Sequence, residues 1–163
     1  MSTYEASGSR HIAAPPDRLY SIIADYRGGH PHILPERFFK GLEVERGGVG
    51  AGTVIRFTIK VAGRVQDFRA EIDEPEPGRV LVERNLGSGE TTTFVVRPAP
   101  GGSEVSITTV APRRPGLGGT IEAWLSTRFL RAVYRLELEM LEGAAANPAV
   151  KPTVRRLGAR PGP

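Results

Sequence analysis

Between Phe38 and Ala111 the chain alternates β-branched and aromatic residues with polar ones, and clusters of glycine or proline interrupt it at regular intervals. The interruptions are Gly47-Gly48-Val49-Gly50, Ala62-Gly63, Pro75-Glu76-Pro77-Gly78, Gly87-Ser88-Gly89 and Pro98-Ala99-Pro100-Gly101-Gly102. None is long enough to hold the crossover helix that a parallel pair requires, so consecutive strands pair antiparallel, as a meander of six. Ile55, Phe57, Ile59 and Val61 alternate with Arg56, Thr58 and Lys60, and Phe68, Ala70 and Ile72 alternate with Asp67, Arg69 and Glu71. A period of two puts the apolar set on one face, so one side of the sheet is covered and the other meets water.

Something must supply that cover. After Pro112-Arg113-Arg114-Pro115-Gly116, the segment from about Leu117 to Gly143 holds no proline and many good helix formers, enough for roughly seven turns. On a helical wheel Ile121, Leu125, Phe129, Ala132, Val133, Leu136 and Met140 gather into one stripe, predicted to face the core. Arg128, Arg131, Arg135 and Glu142 form a solvated flank, with Trp124 sealing a rim beside it. Leu130, Tyr134, Leu138 and Leu141 make a second, weaker strip that either packs against neighbouring elements or marks a dimer contact. Upstream of the meander, residues 3–12 look extended. Pro15-Pro16-Asp17 then opens a short helix whose buried face is Leu19, Ile22, Ile23 and Tyr26 and which ends at Arg27-Gly28-Gly29. A second short helical turn is expected over His30 to Leu34, before Pro35.

A length of 163 residues fits one domain and allows a sizeable core. The longest apolar runs fall far short of the ~20 residues needed to span a bilayer, which predicts no stable membrane insertion. The N-terminus lacks the basic and apolar regions of a secretory signal, so a cytoplasmic protein is expected. Without cysteine there is no disulfide framework, thiol nucleophile or cysteine-based metal site. The net charge of +4 is a property of the end of the chain: residues 143–163 hold Lys151, Arg155, Arg156 and Arg160 and no acid, leaving 18 of the 22 basic residues against 18 acidic ones. Its proline, glycine and alanine content predicts a disordered basic tail over 143–163, following a folded domain over 1–142, and no nucleic-acid role.

The order strand, short helices, six-strand meander, long C-terminal helix resembles the START-like helix-grip superfamily. This group also holds the polyketide cyclase/dehydrase and lipid-transport families and the pollen-allergen proteins. The residues that carry the likeness are the opening Ser9-Arg10-His11-Ile12-Ala13-Ala14-Pro15-Pro16-Asp17-Arg18-Leu19-Tyr20, the Asp25-Tyr26 helix end, the Pro35 region, Glu74 to Val82, and the Thr91-to-Thr109 strand pair. The match is one of pattern and order over residues 3–142, and it carries no catalytic signature. It implies an α+β helix-grip fold in which a curved seven-stranded antiparallel sheet wraps a long C-terminal helix, with two short helices between the first two strands.

A strongly curved sheet cannot close onto one helix everywhere, so side chains must fill the gap or leave a hole. Small or polar residues near the inward register, Gln66, Ala70, Thr92, Thr109 and Ala132, favour a hole; bulky Phe57, Phe68, Phe94 and Phe129 favour filling it. The expected lining of a ligand cavity is Ile33, Leu34, Phe38, Phe57, Ile59, Phe68, Thr92, Phe94, Thr109, Leu125, Phe129 and Val133. His30-Pro31-His32 could bind a metal or shuttle a proton. A metal needs three or four convergent ligands, however, so no metal site or cofactor is expected, and the segment is read as a lid in which Ile33, Leu34, Phe38 and Phe39 close the cavity.

Acid–base chemistry would need a polar group facing that cavity. Glu83 or Arg84 must approach the inner face, because successive strand residues point opposite ways, but Val80-Leu81-Val82 is apolar throughout and leaves the register open. Tyr20, Tyr26 and His11 are further candidates. No Ser–His–Asp order, phosphate loop or dinucleotide fingerprint is present; Gly47-Gly48-Val49-Gly50 reads as a hairpin turn. The leading expectation is therefore a non-enzymatic binder or carrier of a small hydrophobic molecule (a lipid, polyketide or aromatic), as a monomer or weak homodimer. The alternatives are a polyketide cyclase/aromatase or dehydratase, and a partner-binding module acting through the strip at Tyr134 and Leu138.

Overall fold

The computed structural model describes residues 2–61 and 63–153. Strand β1 (Thr3–Ile12) leads into helix α1 (Pro16–Ala24) and a 3₁₀ turn (His30–Ile33). The meander follows as β2 (Phe39–Arg46), β3 (Val54–Val61), β4 (Arg64–Glu76), β5 (Val80–Asn85), β6 (Thr91–Ala99) and β7 (Gly102–Pro112), and helix α2 (Gly116–Ala146) closes the fold. The seven strands form one sheet in the order β1-β7-β6-β5-β4-β3-β2, antiparallel throughout. The fold is thus an α+β helix grip, with β1 and β2 as its free edges.

Helix α1 buries Leu19, Tyr20, Ile22, Ile23 and Ala24, and Tyr26 follows them into the core. Each such aliphatic side chain contributes roughly 1.5–3 kcal/mol by leaving water. The helix stops at Asp25, whose buried carboxylate accepts from the backbone N–H of Arg27 and of Gly28 at 3.0 Å each. Glycine is needed beyond it, since a Cβ at Gly29 would lie 2.5 Å from the carbonyl oxygen of Ile22. The turn at residues 47–50 does more than reverse the chain. Tyr26 donates its N–H to Gly48 at 2.8 Å and Gly50 donates to Ala24 at 2.9 Å, so the turn is pinned onto the end of α1. At Gly50, φ is 63° and a Cβ would meet the Glu74 carboxylate.

Two expectations need correction. The core face of α2 is formed by Leu130, Val133, Tyr134, Glu137, Leu138 and Leu141, whereas Ile121, Leu125 and Ala132 are exposed. The helix is therefore rotated by about a third of a turn from the stripe expected from its apolar residues. Glu137 lies in the middle of the true core face and hid it. Because Tyr134 and Leu138 are buried against the sheet, they do not form a surface for a dimer or partner.

The folded body also runs past residue 142. Helix α2 continues to Ala146, Val150 is buried, and the Asp25 carboxylate accepts the N–H of Thr153 at 2.7 Å. Arg18 adds its guanidinium to the C-terminal carbonyls of α2, 3.2 Å from Ala144 and 3.0 Å from Asn147, at the negative end of the helix dipole. Side-chain anchors of this kind escape a composition argument. The rest of the tail, 154–163, lies outside the described residues, as does Ala62.

Candidate functional site

Strand register decides which side chains meet. Ile72 of β4 pairs with Glu83 of β5, Glu83 with Thr92 of β6, Thr92 with Thr109 of β7, and Thr109 with Ala6 of β1. Residues directly opposite one another share a face, so this row runs across the concave side of five strands. Leu81, two residues before Glu83, is fully buried on that same face, while Arg84 turns outward and is exposed. Of the two neighbours that strand alternation left open, Glu83 is the inward one.

Against this row lie Phe129, Leu130, Val133, Tyr134 and Glu137 of α2, with His30 and Leu34 at one side. The gap leaves about 70 Å³ free for the centre of a water molecule to move in. One water needs roughly 10–15 Å³ of such space, so several waters or one small ring can be held, while a larger ligand requires side-chain movement. The side chains that would move are aromatic. Phe57 stacks on Phe68 with ring centroids 5.3 Å apart, Phe39 lies 5.8 Å from Phe57, and Phe38 meets Phe129 edge-on at 5.1 Å.

One end of the cavity is apolar and the other is acidic. Tyr26 donates its hydroxyl to Glu83 Oε1 at 2.6 Å, and the His30 ring stacks on Tyr26 at 4.4 Å. His30 Nδ1 donates to the Ile23 carbonyl at 2.7 Å, since a carbonyl can only accept, and this turns Nε2 toward Glu83 at 3.7 Å. Thr92 and Thr109 share a hydrogen bond of 2.6 Å, and Thr109 bonds in turn to the Tyr134 hydroxyl. Glu137 is only 5% exposed, and no hydrogen-bond donor meets its carboxyl among the described residues. Burial first, and then the nearby charge of Glu83, holds its pKa well above the ordinary carboxylate range. The same two causes, in the same order, raise Glu90, and burial keeps Tyr26 a neutral phenol.

Of the expected lining residues, Leu34, Phe57, Ile59, Phe68, Thr92, Phe94, Thr109, Phe129 and Val133 border this cavity, together with Glu83. Ile33 is buried beside it in the core, and Phe38 packs on Phe129 from behind. Leu125 is 54% exposed on the far face of α2, and it does not line the cavity because of the helix rotation described above. Gln66 is likewise exposed. His11 lies on the surface, bonded to the Pro100 carbonyl at 2.9 Å, and Arg84 points to solvent, so neither reaches the site. Tyr20 is engaged elsewhere, donating to Glu74 at 2.7 Å. His30 and His32 diverge, one buried and one exposed. Glu90, Glu137, Tyr134 and the inward role of His30 were not anticipated. A lone acid centred among Leu130, Tyr134, Leu138 and Leu141 was the signal that could have revealed Glu137.

A helix-grip domain is the class this architecture defines. Residues 3–146 match the family model described as polyketide cyclase / dehydrase and lipid transport, and the chain belongs to that family. Among solved structures, the KanY protein (ms6282) is 28% identical over 90% of this chain and 100% of its own, with a TM-score of 0.79. The Zhui aromatase/cyclase from Streptomyces sp. R1128 is 20% identical over 88% of this chain and 94% of its own, with a TM-score of 0.71. The di-domain ARO/CYC BexL from the BE-7585A biosynthetic pathway is 18% identical over 89% of this chain and 50% of its own, with the same TM-score of 0.71. The last two likenesses show the fold alone. Among curated proteins none matches the chain. The family and fold support a ligand-binding or cyclase role. No helix among the described residues is long and apolar enough to cross a membrane.

Proposed function

We propose that the protein is an acid–base catalyst of cyclisation or dehydration, acting on a small, largely apolar molecule that carries a carbonyl or hydroxyl group. The observation that carries this reading is Glu137, a buried residue at the acidic end of the cavity whose carboxyl has no hydrogen-bond donor among the described residues. A carrier needs only apolar contacts and a few orienting groups, and a carboxyl whose proton is held far above its ordinary range is not required for that. An acid catalyst needs such a group, because a carboxyl kept protonated near neutral pH can deliver its proton to a substrate oxygen.

The remaining polar residues fit this division of labour. Glu137 donates a proton to the carbonyl or departing hydroxyl oxygen, while Glu83, held by Tyr26 and facing His30, accepts one from the substrate carbon. The Thr92–Thr109–Tyr134 chain orients the polar end of the substrate, and the Phe57–Phe68 pair covers its apolar end. Ligand binding is common to this reading and to that of a carrier, and Glu137→Gln separates them. Small aromatic and poly-carbonyl compounds are screened by thermal shift, and those that bind are followed for product by mass spectrometry. Wild-type protein is expected to convert a bound compound, and Glu137→Gln to bind it and leave it unchanged. Binding without conversion by the wild type across the whole panel, with tighter binding by Glu137→Gln, would make the protein a carrier.

A further inference from the structure

The two faces of α2 break the usual rule for a surface helix. Leu117, Ile121, Trp124 and Leu125 stand at i, i+4, i+7 and i+8, one stripe of a helix, and are 85%, 60%, 61% and 54% exposed. The stripe lies opposite the buried face of this half of the helix, which holds Gly119 and Ala123. Arg128 continues it at the next turn, followed by Arg131 and Arg135. Single exposed apolar residues are ordinary, but four in a contiguous helical stripe, one of them tryptophan, are not.

Charge narrows what can cover them. Residues 113–135 hold five arginines and one acid, Glu122, which already faces Arg114 at 3.7 Å. Arg128, Arg131 and Arg135 have no carboxylate partner among the described residues. Between α2 and β1, a groove bordered by Arg131, Arg135 and Arg10, the last already paired with Glu142, leaves about 260 Å³ free for the centre of a water molecule. A second copy is a poor occupant: paired antiparallel, its arginines would face Leu117 and Ile121, and paired parallel they would face one another. What fits is a surface apolar in depth and anionic at its rim. The stripe is convex, a shape that enters a fluid interface without needing a matching groove.

We infer that this face of α2 docks the protein on an anionic lipid bilayer, with Leu117, Ile121, Trp124 and Leu125 among the acyl chains and the arginine groove on the headgroups. One turn beyond Leu125 the helix reaches Phe129 and Leu130, which line the cavity, so docking brings the apolar interior beside the bilayer. The helix lies in the interface and does not span it.

Trp124 is the only tryptophan, so the fluorescence of the full chain reports on this face without a label. Emission is followed on addition of vesicles of phosphatidylcholine alone, or of phosphatidylcholine with phosphatidylglycerol. The expected result is a blue shift, and quenching by lipids brominated in the acyl chain, with the anionic vesicles only, reversed by high salt. Leu117→Asp with Leu125→Asp should abolish the shift while leaving circular dichroism and melting unchanged, because both positions are exposed. Arg131→Ala and Arg135→Ala should each weaken binding about fivefold, the effect of one cationic side chain near an anionic surface. No shift with anionic vesicles, or a shift that survives Leu117→Asp with Leu125→Asp, would overturn the proposal. So would a dimer in sedimentation equilibrium that the same double substitution splits, since a second copy would then be the occupant.

Discussion

The two halves of helix α2 obey opposite rules. From Phe129 onward the helix lies on the sheet, and the centre of its buried face is a glutamate; from Gly116 to Arg128 it buries only Gly119 and Ala123 and turns Leu117, Ile121, Trp124 and Leu125 to solvent. Apolar periodicity marks a face that wants to leave water, but it does not say what that face will meet. In the second half the partner is the concave sheet, and the helix accepts a buried carboxyl there. In the first half no element among the described residues supplies a partner, and the apolar residues remain outside.

Substitutions that treat the halves alike should therefore give unlike results. The largest effect is expected from Leu138→Ala, which opens a hole in the packed half and should cost about 2–5 kcal/mol in urea denaturation. A loss below about 1 kcal/mol would mean that this half of the helix is not held against the sheet. Tyr26→Phe comes next. It removes the donor to the Glu83 carboxylate without changing shape, and a hydrogen bond to a charged group is worth roughly 1.5–3 kcal/mol.

Glu137→Gln should act in the other direction. The folded protein keeps the Glu137 proton at pH values where the unfolded chain, titrating near its ordinary 4.5, has lost it. Unfolding then releases a proton, so stability falls as pH rises above about 4.5 and levels off only beyond the raised folded value. The variant should lose that slope and melt higher than wild type on the alkaline side; a parallel pH profile for the two proteins would contradict the assignment. The smallest effect is expected from Leu125→Ala, within about 0.5 kcal/mol, because the side chain already faces water. Set against Leu138→Ala, it measures the contrast between the halves of one helix.

Much of the fold was legible because it rests on local signals. Short glycine and proline breaks forced the antiparallel meander, and the proline-free run after Gly116 marked the long helix. The site was less legible for two physical reasons. Strand alternation placed Glu83 and Arg84 on opposite faces without saying which was inward, and only pairing with Ile72 and Thr92 decided it. On α2, the exposed Ile121 and Leu125 drew the apolar stripe toward themselves, while the charge of Glu137 disqualified the true core face. His30 looked like part of a loop motif with His32, yet its ring is held by Ile23 and Tyr26 from outside its own segment. The end of the domain was misjudged likewise, because Asp25 and Arg18 tether residues more than a hundred positions away.

The central claim is that Glu137 is a protonated acid facing the cavity between the sheet and α2. It is tested most directly by titrating the carbon-13 signal of its side-chain carboxyl by NMR, assigned by its disappearance in Glu137→Gln. The expected result is a midpoint well above the ordinary 4.5, moving when a carbonyl-bearing ligand fills the cavity. A midpoint at the ordinary value, indifferent to ligand, would contradict it.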